Sequence, residues 1–270
     1  MNSISIRSPK FDRSSIDLPL GTRKLDKPFN GTICSKEGDE YEIKDNIIDM
    51  IGTPGEGKTL AQASNHWMLT SYAYEDYWRT NAVSILSGQK FPLTREANLL
   101  AEWFRPTAGR IYLDVGCSTG LYGRMIVKKE PEAIVVGMDS SKLMLQKARE
   151  KCLEDKADQI LLRADAENMP FFSKTFDGAT MGGTLNEFVN PGKALYEVRR
   201  SLKDDSRFFI MHLLTAANWY NRIAQNASTW GGLKFWTQSE SNKLFEKCGF
   251  KVVEQETRGM VCFSLLEPAL

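Results

Sequence analysis

Residues 111–124, IYLDVGCSTGLYGR, constrain the fold more than any other stretch of this 270-residue chain. A β-type apolar run ends in Asp114 and breaks into Gly116-Cys117-Ser118-Thr119-Gly120, and a helix-forming segment follows. Strand, glycine turn and helix in that order build a ligand site at the carboxyl end of a strand in a doubly wound α/β sheet. Glycine supplies dihedrals that a side chain forbids and lets the backbone come close to a ligand. A dinucleotide fingerprint requires G-x-G-x-x-G. Here the matching frame reads Ser118-x-Gly120-x-x-Gly123 and lacks its first glycine. The alternative frame is Asp114-x-Gly116-x-x-x-Gly120.

Further strands run into acids. Residues 134–138 read as a buried parallel strand that closes on Asp139. An acid about 20 positions past a glycine loop is placed to accept hydrogen bonds from ribose hydroxyls. Ser140 and Ser141 can cap the next helix, with Met144, Leu145 and Ala148 on its inner face. A third strand, 159–163, leads into Ala164-Asp165-Ala166-Glu167. After Asn168-Met169-Pro170-Phe171 and a polar turn, FDGATMGG reads as a fourth strand ending on Gly182 and Gly183.

In order and spacing, these motifs resemble the class I S-adenosylmethionine (SAM)-dependent methyltransferases over roughly residues 95–265. DAENMPF, followed by FD and a strand, is similar to the branch that methylates quinones, sterols and other small molecules. The resemblance implies a Rossmann-like, seven-stranded, mostly parallel sheet closed by an antiparallel hairpin. It implies SAM as cofactor and S-adenosylhomocysteine (SAH) as product. By it, Asp165 binds the adenine amino group with Ala166 beside it, and Asp139 holds the ribose. Asp114, Gly116, Cys117 and Gly120 border the methionine part, and Gly182 and Gly183 close the pocket. Ser140 and Met144 complete the cofactor-binding set.

Composition sets outer limits. A chain of this length, 42% hydrophobic, can bury a full core. Lys and Arg number 35 against 34 Asp and Glu, so no basic excess marks a nucleic-acid binder. No apolar run approaches membrane-spanning length, and MNSISIRSPKFDRSS lacks the apolar segment of a secretory signal. Cysteines at 34, 117, 152, 248 and 262 show no C-x-x-C spacing, which points to a reducing, cytoplasmic setting.

The chain divides into a tail, β-rich arm and linker (1–59), a helical cap (60–104) and a core (105–270). Arm strands are expected at 31–35, 40–43 and 47–51. This arm resembles a small zinc ribbon down to its closing D-N-I-I-D-M, yet only Cys34 remains of four expected ligands, so no metal is expected. GTPGEGKT at 52–59 satisfies the P-loop pattern G-x-x-x-x-G-K-[ST], in which Lys58 would reach outer phosphates and Thr59 a magnesium ion. A flexible linker between arm and core is the favoured reading, because a P-loop strand belongs at the centre of a parallel sheet.

Residues 60–104 carry helical periodicity. Trp67, Tyr72, Tyr74, Tyr77 and Trp78 crowd this segment, and Trp219, Tyr220, Trp230, Phe235 and Trp236 follow the fifth strand at 207–214. Ordinary packing accounts for most such aromatics. Their placement on both sides of the pocket leans towards a flat, apolar or aromatic acceptor. The tail reads as a helix ended by Gly249 and a hairpin turning at Arg258-Gly259.

Methyl transfer from a sulfonium needs an in-line nucleophile and exclusion of water. His212, near the end of the fifth strand, is a candidate base; a structural histidine is the competing reading. Glu187, just past the fourth strand, is a second candidate, and His66 lies in the cap. Competing functions are an RNA methyltransferase, a non-catalytic SAM binder and a P-loop NTPase.

Overall fold

A computed structural model describes residues 4–7, 15–18, 20–35, 38–51, 80–217, 222, 225–226, 229–230 and 232–269. In chain order the strands are β1 (Ser5–Arg7), β2 (Ser15–Asp17), β3 (Gly31–Cys34), β4 (Glu40–Lys44), β5 (Ile47–Asp49), β6 (Ile111–Val115), β7 (Ile134–Asp139), β8 (Ile160–Arg163), β9 (Phe176–Gly182), β10 (Leu202–Leu213), β11 (Phe250–Arg258) and β12 (Val261–Pro268). The α-helices are α1 (Thr80–Ser87), α2 (Leu93–Phe104), α3 (Leu121–Lys129), α4 (Lys142–Asp155), α5 (Pro191–Ser201) and α6 (Gln238–Lys247).

Seven of these strands form the expected doubly wound core, in the order β8-β7-β6-β9-β10-β12-β11. The chain moves outward from β6 through β7 to β8, then returns to β9 on the other side of β6. This reversal creates a crevice at the carboxyl end of β6, the switch point where doubly wound sheets bind ligands. Helices cover both faces, so the central strands are largely apolar on both sides rather than alternating. Leu113, Val115, Val136 and Met138 enter one core cluster, while Tyr112, Val135 and Phe209 enter the other. Successive side chains of a strand point to opposite faces. Truncating a fully buried side chain such as Leu113 typically costs about 2–5 kcal/mol.

The arm is not a separate module. Its strands continue the sheet to ten in all, because β5 pairs in parallel with β8, Ile47 facing Leu161 and Asp49 facing Arg163. Ile43, Ile47 and Ile48 are buried as a result. Cys34 is exposed on β3, the outermost strand.

Of the expected cap, residues 80–104 are described. They form α1 and α2, which lie on the sheet in the cluster of Phe209 and Phe263, with Phe91 stacked on Phe263 at 5.3 Å between ring centres. Gly88 (φ +66°) and the following Pro92 separate the two helices. The P-loop-like segment 52–59, His66 and the aromatic run from Trp67 to Trp78 lie outside the described residues, as do Trp219 and Tyr220.

The last helix starts at Gln238, where Thr237 and Glu240 form a reciprocal capping box. One boundary differs from the periodicity reading. The fifth core strand begins five residues early, at Leu202, which pairs with Phe176 before the register shifts at Arg207. Gly249 (φ +82°) ends α6, and β11 and β12 form the closing antiparallel hairpin.

Candidate active site

The glycine turn after β6 is held from below. Gly116 has φ +59°, and a Cβ there would lie 2.3 Å from Cγ2 of Thr184. Any side chain here meets both a strained backbone and the Thr184 side chain. The Thr184 hydroxyl donates to the Gly116 carbonyl at 2.9 Å, tying the turn to the segment after β9. Gly120 (φ +74°) opens α3. Gln159 donates to the Gly120 carbonyl at 3.1 Å, and Arg124 donates to the Thr119 carbonyl. Gly123 is explained by Gln159 rather than by a nucleotide, since a Cβ there would meet Oε1 of Gln159 at 2.2 Å.

Asp114 is buried beneath this turn. It accepts the Gly123 N–H at 3.1 Å and the Thr180 hydroxyl at 2.9 Å. Burial pushes its pKa up to about 6, partly offset by these two donors and by Arg124. Asp114 therefore joins β6, β9 and the first turn of α3.

Asp139, at the tip of β7, accepts the Ser118 N–H on Oδ2 at 2.9 Å and the Ser141 N–H on Oδ1 at 2.8 Å. A carboxylate offers roughly four acceptor positions, and these two bonds fix its plane. Ser141 caps α4 by accepting the Met144 N–H at 3.4 Å. Asp165, past β8, accepts the Glu167 N–H at 2.9 Å, and its carbonyl accepts Asn168 N–H at 3.0 Å. This is a side-chain-stabilised turn.

Both acids border one cleft, with about 650 Å³ of empty space partly open to solvent. Gly116, Ser118, Ser140, Met144, Ala166, Thr184, Glu187 and Phe188 also line it. A smaller hollow of about 280 Å³ adjoins it at Gly116 and Ser118, bounded by Asp114, Cys117, Leu121, Tyr122 and Gly182. Burial, with Asp139 and Asp114 nearby, pushes the Cys117 thiol up, so it stays a neutral wall rather than a nucleophile. The Tyr122 hydroxyl donates to the buried Glu96 of α2 at 2.5 Å.

Gly120 and Gly183 line neither space; the Gly183 N–H donates to the Met211 carbonyl at 2.8 Å. His212 also lines neither. It is fully buried, its ring edge-on to Phe245 at 5.5 Å, and its two nitrogens have no hydrogen-bond partner among the described residues. Burial pushes its pKa down to about 4. Sequence reasoning did not find Gln159, Thr184 or the Glu96–Tyr122 pair, because their roles depend on contacts between distant segments.

The arrangement suits an adenosyl group with an extended tail. The Asp139 and Asp165 carboxylates face the cleft, and the backbone at Gly116 is bare of side chain. An acid-tipped cleft over the glycine turn of a doubly wound sheet is an arrangement that class I SAM-dependent methyltransferase domains share with other nucleotide-binding sheets. Residues 113–210 match the family model described as a methyltransferase domain, so the chain carries such a domain.

Relatives agree. The chain is 36% identical over 102 residues to a demethylmenaquinone methyltransferase of Thermotoga maritima, covering 38% of this chain and 43% of that one. It is 28% identical over 145 residues to an uncharacterised chloroplastic methyltransferase of Arabidopsis thaliana, covering 52% and 40%. It is 30% identical over 148 residues to 2-methyl-6-phytyl-1,4-hydroquinone methyltransferase 2, chloroplastic, of Oryza sativa, covering 54% and 40%. The match thus spans about half the length of these relatives or less. The same fold occurs in the complex between the Haloferax volcanii Trm112 methyltransferase activator and a candidate methyltransferase (TM-score 0.59, 17% identity, covering 76% of this chain and 95% of that one). It also occurs in the [4+2]-cyclase SpnF (TM-score 0.55, 17% identity, covering 65% and 80%). No helix among the described residues is long and apolar enough to cross a membrane.

Proposed function

We propose that the protein is a SAM-dependent methyltransferase acting on a small, apolar or aromatic acceptor of quinol type. The observation that carries this reading is the single cleft bounded by Gly116, Asp139 and Asp165. The names of the Thermotoga and rice relatives support the acceptor class.

When bound, SAM supplies a methyl group made electrophilic by its sulfonium. The residues bind, orient and exclude water. Asp139 would accept from the ribose diol and Asp165 from the adenine amino group, and Met144 and Ala166 would border the base. The backbone at Gly116 and Ser118 admits the chain towards the hollow at Gly182. Such positioning can supply most of the acceleration in methyl transfer. Glu187 lines the cleft beside Phe188, and its carboxylate would take the acceptor's proton as the acceptor–methyl bond forms and the sulfonium–methyl bond breaks to leave S-adenosylhomocysteine. Of the two bases considered from sequence, Glu187 borders the cleft and His212 does not. The setting is a reducing compartment, either cytoplasm or, as in the plant relatives named chloroplastic, a plastid.

The test is methyl transfer from labelled SAM to a short-chain demethylquinol. Labelled product with hydroquinones and none with RNA supports the reading; transfer to RNA alone overturns the acceptor class.

A further inference from the structure

Three strand tips stand in one row: Asp49 of β5, Arg163 of β8 and Asp139 of β7. Register partners in parallel strands project to the same face, so the arm's last acid, the core's arginine and the cleft's acid share one side of the sheet. Arg163 Nη1 donates to Asp49 Oδ2 at 2.8 Å, and its Nε donates to the Ser140 carbonyl at 3.0 Å. The side chains of this pair are only 3% and 12% exposed for Arg163 and Asp49. Asp49 is itself locked by the Ile51 N–H at 3.0 Å, and the Met50 N–H donates to the Arg163 carbonyl at 2.9 Å. Ser140 lies between Asp139, which orients on Ser118 and Ser141, and the start of α4; both Asp139 and Ser140 line the cleft.

A second contact runs in parallel. Leu25 and Ile47 of the arm share a buried cluster with Cys117, Leu145 and Ala148, so apolar side chains of the arm also rest against the glycine turn.

We infer that Asp49 is a positioning residue for cofactor binding. It fixes the Arg163 guanidinium, which anchors the Ser140 carbonyl and thereby the backbone that presents Asp139. The arm is then part of the cofactor site although it touches no ligand. This inference rests on the SAM-binding reading above. Its physical basis is that a guanidinium nearly removed from water needs a fixed counter-charge to hold one geometry.

Calorimetry with SAH on the full chain tests it, because affinity and binding-competent fraction are read separately. Asp49→Ala and Arg163→Met each raise the SAH Kd about tenfold at unchanged stoichiometry, a loss of ~1.4 kcal/mol. The double variant is no more than about twofold weaker than the worse single, as expected for residues acting as one unit. Asp49→Asn, which keeps the shape, gives an intermediate loss and serves if the alanine variant does not fold. Unchanged Kd in the single variants, losses that multiply in the double, or a fall in stoichiometry alone overturns the role of Asp49. Failure of the unaltered chain to bind SAH overturns the function reading itself, and is distinguishable from those results.

Discussion

Asp139 grips the backbone of Ser118: its Oδ2 accepts that N–H at 2.9 Å, across 21 residues of sequence. One carboxylate therefore orders the glycine turn and faces the adenosyl cleft at once. On the proposed function, ribose recognition and loop geometry are coupled through it, so a defect at Asp139 is felt in both.

Substituting Asp139 by alanine weakens SAH binding about 10- to 100-fold, since hydrogen bonds to a charged acceptor contribute about 1.5–3 kcal/mol each. Fluorescence or calorimetric titration reads this directly. A Kd within threefold of the unaltered chain contradicts the assignment.

Gly116→Ala meets two penalties: φ of +59° and a Cβ 2.3 Å from Cγ2 of Thr184. It lowers stability by about 1–3 kcal/mol and removes detectable SAH binding. Thermal melting with and without SAH measures both effects. A variant that melts like the parent and still gains stability from SAH rules this out.

Acid–base roles separate by variant. Glu187→Gln lowers kcat about 100-fold, the lower range for a positioned general base, and leaves the SAH Kd within threefold. His212→Leu leaves kcat within threefold, because the imidazole lies outside the cleft. The opposite pattern of losses contradicts the roles given.

His212 also has a signature in stability against pH. Its folded value is depressed from 6.5 to about 4, so its contribution is present above pH 6.5 and is lost as pH falls through about 4. Asp114 runs the other way: raised from 3.8 to about 6, its contribution is present below pH 3.8 and is lost as pH rises through about 6. Between these values the two slopes oppose each other. Replacing His212 by leucine removes one of them. Relative to the parent, the variant gains ~2–3 kcal/mol between pH 7 and pH 4, at about 1.4 kcal/mol per pKa unit. Urea unfolding of both chains at the two pH values tests this, and a pH-independent difference refutes it.

Much of this was legible in the sequence. Strand ends marked by Asp114, Asp139 and the glycines at 182 and 183 are local signals, because an apolar run and a turn are set by neighbouring residues. The placement of Asp139, Asp165 and Gly116 on one cleft followed from parallel strands ending at one rim. What was not legible depends on long-range register. The arm's strands were read, yet not that β5 would extend the core sheet, because pairing partners leave no periodic trace. Asp49 fell within the expected strand 47–51, and nothing local marked Arg163 as the residue opposite it. His212 was read at a strand end as either a base or a buried structural histidine, and only the packing of α6, which brings Phe245 over it, decides between them.

The most direct measurement is titration of the full chain with SAH by calorimetry. The account predicts one-site binding with Kd in the ~1–100 µM range, about −5 to −8 kcal/mol, that weakens at least tenfold when Asp139 is alanine. A folded chain that gives no heat with millimolar SAH, or that binds Mg-ATP instead and loses it with Lys58→Ala, contradicts it.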